Sequence, residues 1–116
     1  MEIHVERRER IFAPINLVWD VIDSLDQARG AATFQLTWGP LTWPLDVDVS
    51  MRVTAVGESE TRLECRGHLE TRHRVAARLR RMCHEVVERH VQGMVHGVKV
   101  RAEQRRLAEE LLLRPE

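Results

Sequence analysis

The 116 residues carry 18 basic and 18 acidic side chains, so the formal net charge is zero. No global field draws such a chain onto nucleic acid or an anionic membrane, and a neutral surface gives little protection against self-association. With 43% hydrophobic and 31% charged residues, the composition is that of one ordinary globular domain, expected to span residues 1–116 around a single core. No apolar run approaches the roughly 18 residues of a membrane span, and the N-terminus lacks the apolar core of a signal peptide. The expectation is a cytoplasmic protein. Cys65 and Cys83 show no CxxC spacing and are expected as buried thiols.

Residues 2–12 begin as an alternating strand. Ile3, Val5 and Ile11 share one face, which Arg7 and Glu9 interrupt. Those two read either as solvated charges near a sheet edge or as a polar pair inside a pocket. Ala13-Pro14 then changes the period, because proline suits the first turn of a helix, where its missing N–H has no partner. Ile15, Val18, Trp19, Ile22 and Leu25 follow at helical spacing, and Gly30 is a terminator. Residues 33–38 alternate again, and Gly39-Pro40 makes a turn. From Leu45 to Thr54 the period is strictly two, with Leu45, Val47, Val49, Met51 and Val53 on one face and Asp46, Asp48, Ser50, Arg52 and Thr54 on the other. That is an antiparallel strand with one wet face. Trp43-Pro44 at its start marks an edge or bulge. After a turn at Gly57-Glu58-Ser59, residues 60–69 return with Leu63, Cys65, Gly67 and Leu69 inward.

From Thr71, a candidate N-cap, to Leu113 there is no proline, and strong helix formers dominate. Val75, Leu79, Met82, Val86, His90, Met94 and Val98 recur at steps of three and four, one face of a helix. Some forty residues at about 1.5 Å each make a rod about 60 Å long, more than one small domain needs. The helix is therefore expected to clamp across a sheet and overhang it. Strands grouped apart from helices define an α+β fold: an antiparallel sheet of about four strands gripping a long C-terminal helix, with one short helix after the first strand.

Several side-chain groups invite chemistry. His84, His90 and His96 lie six apart on the helix, point in three directions and cannot converge on one ion. His73 and His84 share a face but stand about 16 Å apart. No metal site is expected from them. His90 falls on the apolar stripe and reads as a core histidine, a polar contact for a ligand or an acid/base group. Gly93 and Gly97, on one helical face, imply close approach of another backbone, room for a ligand, or a bend in the helix. Asp46 and Asp48 share the polar strand face and read as solvated. Arg72, Arg74, Arg78, Arg80 and Arg81 form a basic run without interleaved aromatics, which argues against nucleic acid and for a solvated helix face. No nucleophile or carboxylate is placed beside His90, so no catalytic residue is assigned.

Two stretches together resemble a known family. VERRERIFAPINLVWDVIDSLDQ at 5–27 and EVVERHVQGMVHGVKVRAEQ at 85–104 are similar to the two ends of the SRPBCC superfamily, the START-like and Bet v 1-like helix-grip domains that include polyketide cyclases and lipid-transfer proteins. The resemblance rests on Ala13, Pro14, Val18, Trp19 and Ile22, and on Arg89-His90-Val91 followed by Gly93-Met94. It implies a curved sheet gripping the last helix, with a hydrophobic cavity between them. This chain departs from the family by having about forty-five residues between its helices, enough for three strands where members usually have about six. A shortened sheet leaves an open side, which an overhanging helix from a second copy would cover.

The resulting expectation is a non-enzymatic protein that binds a hydrophobic small molecule or lipid, without cofactor, as a homodimer. Trp19, Leu36, Trp38, Val49, Met82, Val86, His90 and Met94 are the candidate ligand-binding residues, with His90 or Arg7 orienting a polar end. A polyketide cyclase/dehydratase-like enzyme and a ligand-free dimerising module are the alternatives.

Overall fold

The computed structural model describes residues 1–25, 30–38, 40–70 and 77–113, with the backbone alone at 30–38, 41 and 43. Its elements are β1 (Glu2–Ile11), α1 (Ile15–Ser24), β2 (Gly30–Trp38), β3 (Leu41–Gly57), β4 (Glu60–Glu70) and α2 (Ala77–Leu113). The four strands form one antiparallel sheet in the order β1-β4-β3-β2. The fold is thus α+β, with a sheet, a short helix and a 37-residue C-terminal helix, as expected. The Thr71 cap, His73, Val75, Arg72 and Arg74 lie outside the described residues.

Period-two patterning makes one sheet face apolar, and both helices cover it. Leu45, Val47 and Val49 of β3 join Leu63, Cys65 and Leu69 of β4, and Ile3 and Ile11 of β1, in one buried cluster. α1 contributes Leu17, Val18, Val21 and Ile22. It begins at Pro14, whose carbonyl accepts a hydrogen bond from Val18 N–H at 3.1 Å. α2 lies across β1 and β4, and α1 packs against α2. Pro44 sits opposite Gln35 in a stretch of β3 paired with β2 alone, an edge where a residue without an N–H is accommodated. β3 runs longer than its alternation predicts, because its first residues, Leu41 to Leu45, pair with β2 beyond the end of β4.

The helix approaches the sheet closely at Gly67 on β4. A Cβ there would lie 2.6 Å from Val91 Cγ2 and 2.9 Å from Val87 Cγ1, so only glycine lets α2 come this close. Gly93 and Gly97 behave otherwise. A Cβ on either would meet nothing within 4 Å, so of the readings open for them the close approach of another backbone is not the one seen, and open space lies beside both. α2 also runs through both as one helix, without ending at a bend.

The far end of α2 is tied to the β1–α1 junction. Arg106 Nη1 donates to the Phe12 carbonyl at 2.7 Å, and Phe12 N–H donates to Glu103 Oε1 at 3.3 Å. The buried Thr61 hydroxyl donates to the Ala13 carbonyl at 2.7 Å, binding the start of β4 to the same junction. Beyond it the helix overhangs. The molecule measures 62 × 25 × 19 Å, and Leu107, Leu111, Leu112 and Leu113 are 59–85% exposed.

Candidate functional site

α2 presents two unlike sides. Its fully buried seam is Cys83, Val87, Val91, Val95, Val98 and Ala102. The stripe expected from the sequence is displaced from this seam by one residue, about 100° around the helix, and only Val98 belongs to both. Leu79, Met82, Val86, His90 and Met94 are half-buried. The correction has a simple cause. The helix has two adjacent apolar rows, and the one that carries Val87 and Val91 lies against Gly67, the residue whose missing side chain lets the helix come close.

Of the candidate ligand-binding residues, Val49 is buried in the core, while Trp19, Met82 and Met94 are half-buried and pack on its rim. Val86 and His90 lie half-buried on the same flank of α2 as Met82 and Met94. The side chains of Leu36 and Trp38 lie outside the described residues, as do those of Phe34 and Trp43. The rim also holds Leu25, which caps α1, Leu79 of α2, and Met51 and Val53 of β3. Nothing in the alternating pattern of β3 distinguished those two from the sealed Val47.

His90 Nε2 is shielded from solvent. Burial lowers the imidazole pKa below its ordinary value of 6.5, because the charged form loses hydration, so the ring is neutral at pH 7. A neutral imidazole on an apolar flank can orient a polar group by a hydrogen bond without introducing a buried charge.

Arg7 belongs elsewhere. With Glu9 it lines a cleft of about 580 Å³ between β1 and the opposite side of α2, together with Arg89, His96 and Lys99. Lys99, the only lysine, donates to Glu9 Oε1 at 3.1 Å and stands 5.9 Å from the centre of the Phe12 ring. Arg7 and Glu9 therefore line a pocket, but Glu9 pairs with the helix. Arg7 and His90 sit on opposite sides of α2, and the two do not orient the same ligand.

The cysteines are free thiols and both are buried. Burial pushes Cys65 up to about 11 and also raises Cys83, so neither is a nucleophile near neutral pH. Arg78, Arg80 and Arg81 are exposed on α2, as are Asp46 and Asp48 on the outer sheet face. Among the described residues, no helix is long and apolar enough to cross a membrane.

No family model matches the chain, and no curated protein matches it significantly. Among solved structures, it is similar to the Zhui aromatase/cyclase from Streptomyces sp. R1128, at a TM-score of 0.57 and 16% identity over 90% of this chain and 96% of that one. At that identity the likeness concerns the fold. The chain has a helix-grip fold: a sheet whose apolar face closes on the C-terminal helix.

Proposed function

We propose that this helix-grip chain binds a hydrophobic small molecule or lipid between the sheet and the half-buried flank of α2. The observation that carries the reading is this flank. Met82, Val86, His90 and Met94 are apolar or neutral, yet they are left half-open beside a sealed seam. A helix serving stability alone gains by burying such area, at about 25 cal/mol per Å². Trp19 and Val49 complete the proposed wall among the described residues, and His90 meets the polar end of the ligand.

Met94→Trp tests the site. A larger ring fills the space, so a lipophilic fluorescent probe is expected to bind about tenfold more weakly, a change of about 1.4 kcal/mol. Unchanged binding by a folded variant rejects this location.

The structural likeness to an aromatase/cyclase equally favours an enzyme, with His90 as its acid/base group. A cyclisation assay on a polyketide substrate separates the readings. Turnover that is lost in His90→Ala supports the enzyme, and absence of turnover by a protein that retains the probe supports the binding protein.

The proposal includes a homodimer in which the overhanging Leu107, Leu111, Leu112 and Leu113 pack against a second copy. Their exposure on a neutral chain supports this. In sedimentation at micromolar concentration, Leu107→Glu/Leu111→Glu is expected to be a monomer where the unaltered chain is a dimer.

A further inference from the structure

The outer face of the sheet, turned away from both helices, carries a cluster that neither the helix-grip fold nor the proposed cavity uses. His4 on β1 and His68 on β4 are directly opposite in the strand register. Their rings stack with centres 4.4 Å apart and planes inclined by 11°. Both present Nε2 to one oxygen of Glu2, at 2.8 Å from His4 and 3.2 Å from His68. All three ligand atoms lie within 4.8 Å of one another.

We propose that Glu2, His4 and His68 form a binding site for a borderline divalent transition-metal ion of the zinc type. Two imidazole nitrogens and one carboxylate oxygen are the donor set that such ions take. Around a tetrahedral ion with bonds of about 2.0–2.1 Å, neighbouring donors stand about 3.4 Å apart. The two contacts to Glu2 are close to that spacing, and turning the imidazole rings out of their stack aims both Nε2 lone pairs at one ion. Strand pairing holds two of the ligands on adjacent backbones, which lowers the entropy lost on binding.

Further donors are at hand. Asp48 of β3 is opposite His68, and Glu70 of β4 is opposite Glu2. Each is on the same face and exposed, within the range where directly opposed strand residues interact. Either supplies a fourth oxygen, and water fills what remains. His4, His68 and Asp48 also line a depression of about 680 Å³, which leaves the site open to solvent. Arg66, which lines the same depression, is directed to Glu6, 3.7 Å from its Oε2. The ion would staple edge strand β1 to β4.

The test is calorimetric titration of the tag-free full chain with zinc chloride, and separately with magnesium chloride. The unaltered protein is expected to bind one zinc per chain and to give no magnesium signal, because magnesium prefers an all-oxygen shell. His4→Ala and His68→Ala are each expected to weaken zinc binding at least tenfold. His84→Ala, on α2, is expected to leave it unchanged. Zinc at a hundredfold excess over its Kd is expected to raise the melting temperature by roughly 10 °C in the unaltered chain alone. His4 is an exposed edge residue, so circular dichroism of His4→Ala supplies a folded variant even if His68→Ala unfolds. Absence of zinc binding, equal affinity for magnesium, or binding that survives both histidine substitutions in folded protein overturns the proposal.

Discussion

Two sides of one helix do different work. Along the seam of α2, Val87 and Val91 press onto Gly67 so closely that even a methyl group there would overlap them. One residue further back in each turn, Val86 and His90 are half-open, and Met82 and Met94 beside them share that exposure. The chemistry of the two rows is similar, and both are apolar by sequence. What differs is burial. The row that meets Gly67 is sealed and contributes stability, whereas the other stays partly open, and it is there that the ligand is proposed to bind.

The comparison breaks most sharply at Gly67. Gly67→Leu is expected to abolish cooperative folding, read as loss of the thermal transition in circular dichroism. Gly67→Ala is expected to cost about 1–3 kcal/mol through overpacking. A Gly67→Leu protein that melts normally would show that the seam is looser than described.

Truncation separates the rows next. Val91→Ala is expected to cost about 2 kcal/mol in urea unfolding, and Met94→Ala less than about 1 kcal/mol, although methionine loses more atoms. Equal costs would place Met94 in the core and remove the case for a cavity on its side.

The smallest effect is a pH slope. Burial lowers the His90 pKa in the folded state, so below about pH 6.5 the unfolded chain takes up this proton first. The stability of the unaltered chain is therefore expected to fall as pH drops from about 6.5 toward the folded-state pKa of His90, with no contribution above that window. His90→Gln is expected to flatten the slope over the same interval. Urea unfolding at a series of pH values measures it, and identical slopes would show that His90 is solvated.

Much of this architecture was legible in the chain. The alternation of Leu45 to Val53 and the inward Leu63, Cys65, Gly67 and Leu69 appear in the sheet as read. Ala13-Pro14 begins α1, and from Ala77 the proline-free stretch forms one helix to Leu113. Periodicity also found the apolar surface of α2, because 3.6 residues per turn is a local property. It could not rank the two adjacent rows, since which one touches the sheet depends on where Gly67 lies opposite. Glycine spacing could not choose among its readings for the same reason. Gly93 and Gly97 share a face, but that face meets open space.

Local rules on backbone period, turn chemistry and charge balance were enough to determine an α+β chain with a gripping helix and a neutral surface. The tertiary structure alone decided three matters: which row of α2 is sealed, that Arg7 and His90 stand on opposite sides of the helix, and that His4 meets His68. Each depends on residues far apart in sequence. His4 and His68 are separated by a helix and two strands, and a single step in register would move His68 to the other face of the sheet.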